Sequence, residues 1–181
     1  MALSNQEIRI WLDSLAIKNY TIHEDSVVDV DGDVGLTAKI LTTIPIQFGN
    51  TFGRFSCANT SLSSLKGSPQ TVGDYFSCYF SAVSSLDWAP QSVVGNFDCE
   101  RTKITSLHNI HKQIKHIGGN FFCNSNTTHL LGLLLIDGIN YFNIDGGGPI
   151  DKIFNKYVFT GDILSAQDEL IDAGFIEQAR L

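Results

Sequence analysis

Cys57, Cys78 and Cys99 lie 21 residues apart, Cys123 follows 24 residues later, and each has a Phe two positions before it. Phe55-Ser-Cys57, Phe76-Ser-Cys78, Phe97-Asp-Cys99 and Phe121-Phe-Cys123 put two apolar side chains on one face of a short strand, because alternate residues of a strand point the same way. Five residues after each Cys stand Leu62, Val83, Ile104 and Thr128, and three further on Leu65, Leu86, Leu107 and Leu131. The same register runs backward to Val34 and Leu36, with Leu41 and Ile44, and forward to Phe142 and Ile144. Six units result, at intervals of 21, 21, 21, 24 and 21 residues. A strand this short cannot shield its own apolar face, so the units must stack and share one interior.

This predicts an α/β solenoid: a leucine-rich-repeat-like parallel strand ladder of about six short rungs, with N- and C-terminal helical caps. The Phe and Cys columns form its core. Small, apolar Cys suits a tight inner position, and a linear column of thiols is poor geometry for a tetrahedral metal. Free, metal-free thiols are the expectation, and no cofactor is implied. Gly53, Gly73, Gly95 and Gly118-Gly119 precede the strands, where sharp bends are expected. The 24-residue unit carries Leu107, Ile110, Ile114 and Ile117 at helical spacing, predicting a short helix whose other face holds His108, His111, Lys112, Lys115 and His116.

Both ends of an open stack need covering. Ser4 and Glu7 form a capping-box signal for a helix over about residues 5–16, with Ile8, Ile10, Trp11 and Leu15 as its apolar stripe. Residues 27–33 read as a short hairpin or turn into the first rung. Asp29, Asp31 and Asp33 faintly resemble a calcium loop, but Ile40 stands where the closing Glu belongs. Beyond the repeats, Pro149 starts a helix with Ile150, Ile153 and Phe154; Asp162 caps a second one, through Leu170 and Ile171, that stops at Gly174. The chain thus reads as a single domain over 1–181, with an N-terminal helical cap over 1–27, the solenoid over 28–145 and a C-terminal helical cap over 146–181.

The 181 residues are 43% hydrophobic and 17% charged, the balance of a folded globular chain. A net charge of -7 argues against a general binder of DNA or RNA. The longest apolar run, Leu130 to Ile136, is far too short to span a bilayer, so no membrane association is expected. Met1 to Ile10 carry no secretory pattern.

The repeats resemble those of a leucine-rich-repeat-like protein family of large, virulent tailed bacteriophages, whose pattern reads V-G-G-x-F-x-C-x-x-N-x-L-T-S-L-x-G-x-P. Val93-Val-Gly-Asn-Phe97-Asp-Cys99, Ile104-Thr-Ser-Leu107 and Leu62-Ser-Ser-Leu65-Lys-Gly-Ser-Pro69 carry the likeness, as does Val83-Ser-Ser-Leu86-Asp-Trp-Ala-Pro90. Trp11-Leu12-Asp13 and Asp29 to Asp33 resemble the family's start, and Gly161 to Leu164 with Glu169 to Gly174 its end. One feature departs: the family's Asn three residues after the strand Cys is Thr60, Ser81 and Thr102 here, leaving only Asn126. Hydroxyls have fewer donors than an amide, so looser turns are expected. The resemblance implies a phage protein acting in the cytoplasm of the infected bacterial host.

The strand residues beside the buried columns, Ser56, Asp98 and Phe122, are expected to face outward, with Tyr79, Phe80, Glu100 and Arg101 following the strands. Tyr79, Phe80, Asp98, Glu100, Arg101 and Phe122 therefore make a candidate partner-binding strip, since aromatic and Arg side chains anchor protein partners. A non-catalytic protein-binding module is the leading expectation; the phage resemblance adds a host or phage protein as the partner, engaged in host takeover or counter-defence. A small-ligand or nucleotide-binding, sequestering protein is the alternative, with Arg54, Arg101, Lys103, Lys112 and Lys115 as possible phosphate donors. An enzyme acting on a nucleotide or phosphate ester has no recognised nucleophile turn or metal spacing behind it. A purely structural or virion role is a fourth reading.

Overall fold

The computed structural model describes residues 3–36, 40–144 and 146–181. In chain order the elements are α1 (Asn5–Ser14), β1 (Tyr20–Ile22), β2 (Val27–Val30), β3 (Val34–Gly35), β4 (Gln47–Thr51) and β5 (Phe55–Ser56). Then come β6 (Thr71–Val72), β7 (Phe76–Ser77), β8 (Ser92–Val93), β9 (Phe97–Asp98), α2 (Ile110–Gln113), β10 (His116–Ile117) and β11 (Asn120–Phe122). A 3-10 turn at Leu131–Leu135, β12 (Tyr141–Asn143), α3 (Pro149–Tyr157) and α4 (Ile163–Asp172) complete the chain.

The strands form a parallel β-solenoid with helices at its ends. One six-stranded sheet runs β12-β11-β9-β7-β5-β3 and contains the Phe-Cys repeats. Val34, Phe55, Phe76, Phe97, Phe121 and Phe142 are direct neighbours in it, and all are 0–1% exposed. Their rings follow one another at 6.0, 4.7 and 5.5 Å from Phe55 to Phe121. The predicted register holds. Leu62, Leu65, Val83, Leu86, Ile104 and Leu107 are buried on the return arms as expected, but Thr128 is only half-buried and Thr127 takes the inner place.

A second sheet, β1-β2-β4-β6-β8-β10, was not anticipated from the sequence. Each full coil therefore has two strands: one of this sheet, a corner of a few residues, one of the Phe-Cys sheet, and then the return arm. Val28, Val30, Phe48, Val72, Val93 and Ile117 supply its buried side. Among the described residues the only antiparallel pair is β1 with β2, so the hairpin begins earlier than expected, at Tyr20, with its second strand inside the segment expected to form it, and the coil is entered at Val27. The expected end of the repeats, residue 145, lies outside the described residues.

Gly53, Gly73, Gly95, Gly118 and Gly119 all lie in bends before the strands, as expected, but a left-handed backbone is not the reason for glycine there. None of Gly53, Gly73, Gly95, Gly118 or Gly119 has a positive φ. At Gly73 a Cβ would instead collide with the carbonyl oxygen of Phe52 in the preceding coil, so its role is close approach of stacked backbones. The hydroxyl turns are regular too. Thr60, Ser81 and Thr102 each donate to the carbonyl of the Cys three residues earlier, at 2.7, 2.6 and 2.8 Å. Each hydroxyl also accepts from the backbone N–H two residues on, at 3.4–3.5 Å. The retained Asn126 is exposed. A short local bond through a hydroxyl closes the turn without the inter-coil reach an amide supplies.

The caps follow the sequence signals. Ser4 and Glu7 close the capping box of α1, which buries Ile8 and Leu12, while Ile10 faces solvent rather than the core. Pro149 begins α3, and Phe154 packs edge-on against Phe142 at 5.3 Å. Asn155 gives the outer edge of β12 a substitute neighbour: its amide accepts from Phe142 N–H and donates to Phe142 C=O, both at 2.8 Å. An unpaired strand edge templates aggregation, and this amide blocks it. Asp162 caps α4 by accepting from Ser165 N–H, and Gly174 (φ 87°) follows its C-terminal end; Leu170 is buried, whereas Leu164 and Ile171 are exposed. Among the described residues no helix is long and apolar enough to cross a membrane.

Candidate functional site

The turn leaving the Phe-Cys sheet has a left-handed residue in three successive coils: Asn59 (φ 56°), Phe80 (φ 50°) and Arg101 (φ 54°). Asn tolerates this region, whereas a bulky L-residue there is uncommon and costs about 1–2 kcal/mol. The turn is held in place by the ladder, since Asn59 N–H donates to Tyr79 C=O at 2.9 Å and Phe80 N–H to Glu100 C=O at 3.0 Å. Arg101 N–H, in the last of the three, donates to the side-chain oxygen of Asn124 at 2.6 Å.

This geometry gathers Tyr79, Phe80, Glu100 and Arg101 at one edge. Phe80 is 57% exposed. Its ring lies 6.3 Å from that of half-buried Tyr79, and the Arg101 guanidinium sits over the other ring, 5.6 Å from its centroid. Cation–π stacking of this kind orients the guanidinium while leaving its N–H donors available. Next to Arg101 opens a basin of about 480 Å³, lined by Glu100, Arg101, Asn124, Ser125 and Asn126. Burial first, and then the nearby Asp98 carboxylate, hold the Glu100 carboxyl above its usual range, with Arg101 opposing.

Asp98 and Phe122 are adjacent across β9 and β11 on the outer face of the sheet, and both are half-buried rather than freely exposed. Asp98 accepts from the Tyr75 hydroxyl at 2.7 Å and from Glu100 N–H at 3.0 Å. It is a structural anchor of the edge. Ser56 is likewise half-buried. Exposure at the predicted strip is thus concentrated at Phe80 and Arg101.

The basic patch of the 24-residue unit is largely engaged. Lys115 Nζ donates to His111 C=O at 3.0 Å, and His116 pairs with Asp137 at 3.2 Å. His108 lies between Asn109 and Leu181 and packs edge-on to His129. Burial, followed by Lys112 and Lys115, pushes the His111 imidazole below its usual range. Asp29 accepts from Asn50 N–H at 2.6 Å, and Asp33 pairs with Arg54 at 2.8 Å, which commits two of the three carboxylates of the calcium-like segment. Among the described residues, no three His, Cys, Asp or Glu side chains come together as a metal site. The four Cys are buried and unbridged; burial pushes the Cys57 thiol up to about 12 and the other three well above the ordinary thiol range.

Sequence reasoning missed Trp88, a second exposed aromatic at positive φ (69°), in the turn that ends the return arm. Its signal was the parallel between Gly67-Ser-Pro-Gln70 and Trp88-Ala-Pro-Gln91, which aligns Trp with Gly. No family model, no curated protein and no solved structure matches the chain.

Proposed function

We propose that the chain is a non-catalytic protein-binding module, a phage accessory protein that engages a host protein through the turn edge of its Phe-Cys sheet. The supporting observation is Phe80, a largely exposed aromatic ring on a left-handed backbone, beside an Arg101 stacked on Tyr79. Strain of this kind persists only where surrounding structure holds it, and residues so held cluster at binding sites. Aromatic and Arg side chains together are the usual anchors of protein interfaces. Sequestration of a phosphate-bearing ligand in the neighbouring basin is less favoured, because Glu100 and Asp98 set negative charge beside the single Arg101. Host takeover or counter-defence is the role in keeping with the phage-like repeats.

Incorporation of a photoreactive phenylalanine analogue at position 80, followed by irradiation in infected cells, tests this reading. A discrete heavier species is expected from position 80, weakened by Arg101→Ala, and not from the same analogue at Ser63. Identical products from both positions, or none from position 80, would contradict it.

A further inference from the structure

At the far end of the return arm a second left-handed column runs Gly67 (φ 97°), Trp88 (φ 69°) and Asn109 (φ 59°). The middle coil thus carries its largest side chain where the coil before needs only glycine, and Trp88 is 57% exposed. A groove of about 610 Å³ lies beside it, crossing three coils and lined by Gln47, Ser68, Gln70, Asp87, Gln91 and Gln113 as well as the indole. Gln47 Nε2 donates to the carbonyls of Phe48 and Ser68 at 2.7 and 2.9 Å, and Gln113 Nε2 donates to that of Ala89 at 3.0 Å. These two amides are therefore fixed through their nitrogens. Among the described residues, the side chains of Gln70, Gln91 and Asp87 make no hydrogen bond, so their donors and acceptors are available at the groove. The Ser68 hydroxyl, which also lines the groove, is buried with no partner among the described residues, at a position where the next coil has Ala89.

An aromatic plane bordered by uncharged amides and one carboxylate suits a ligand with an apolar C–H face and a rim of hydroxyls. Hydroxyls donate and accept at once, which matches amide and carboxylate partners together. The C–H face of a sugar ring covers an indole at little desolvation cost. Among the described residues no Lys or Arg lines the groove, Lys66 lies over the indole with its Nζ 5.9 Å from the ring centroid, and the chain carries a net charge of -7, so a phosphate ligand is poorly matched. We propose that this groove binds a neutral oligosaccharide, with Trp88 as the stacking platform and Gln70, Asp87 and Gln91 as hydroxyl partners. It is a second site, at the opposite end of the return arm from Phe80.

Calorimetric titration with cellohexaose, maltohexaose and chitotetraose tests it on the wild type, Trp88→Gly and Phe80→Asn. Glycine is the residue of the same column at Gly67, so Trp88→Gly removes the platform and relieves the backbone together. At least one sugar is expected to saturate the wild type and Phe80→Asn alike, and to bind Trp88→Gly roughly ten-fold more weakly, at a melting temperature no lower than wild type. No heat with any of the three sugars overturns the proposal, as does equal binding by Trp88→Gly. Binding of a deoxythymidine decamer in place of the sugars also overturns it, by assigning the indole to nucleobases.

Discussion

The inner column of the Phe-Cys sheet is Phe in five successive coils, whereas the equivalent column of the other sheet runs Val30, Thr51, Val72, Val93 and Ile117. Both are parallel ladders of similar length, and both are buried. They differ in what fills the space between them. Large rings stacked at 4.7–6.0 Å span the interior from one side, so the facing column needs only small branched side chains. One ladder carries the volume, and the other closes against it.

Truncation separates the two most sharply. Phe76→Ala is expected to cost about 3–5 kcal/mol, since it opens a ring-sized cavity in the middle of the stack. Val72→Ala, in the facing column of the adjoining strand, removes two methyl groups at about 0.8 kcal/mol each plus a small cavity, about 2 kcal/mol in total. Guanidinium unfolding of both variants checks the ordering. Equal losses would mean that the ladders share the core evenly.

A smaller effect of opposite sign comes from Thr51. It is the one polar member of the Val-rich column, 1% exposed, with no partner for its hydroxyl among the described residues. Val has the same shape without the unmet hydroxyl, so Thr51→Val is expected to stabilise by about 1 kcal/mol. A loss of stability on the same unfolding curve would place a bonded water or unrecognised partner at that hydroxyl.

The contrast also explains what could be read from the sequence. The Phe-Cys column announces itself because two chemically unusual residues recur at fixed spacing, and the caps because Ser4, Pro149, Asp162 and Gly174 are local stop and start signals. The Val-rich ladder did not stand out, since strands such as Thr71–Val72 and Ser92–Val93 have two residues and no periodicity of their own. The three extra residues of the long unit fall in its return arm, where α2 absorbs them while both ladders keep pairing, Val93 with Ile117 and Phe97 with Phe121. In the candidate strip, sequence position identified the right turn. Exposure was harder: Tyr79 and Phe122 are half-buried because Arg101 covers one and the crowded sheet face holds the other. Backbone sign is set by the stacked turns, so the left-handed state of Phe80 and Trp88 was hidden among equivalent positions occupied by Asn59 and Gly67.

The proposed role of Phe80 requires its ring to be surplus to the fold, in contrast to the five buried rings of the inner column. Asn59 occupies its position one coil earlier in the same left-handed conformation. Phe80→Asn should therefore raise the free energy of unfolding by roughly 0.5–1 kcal/mol with an unchanged denaturant slope, as relief of backbone strain outweighs the loss of one exposed ring contact. The midpoint of its guanidinium unfolding curve is the most direct measurement. A midpoint at or above that of wild type is predicted; a drop corresponding to about 1 kcal/mol or more would show that the ring packs as part of the fold and is not held out for a partner.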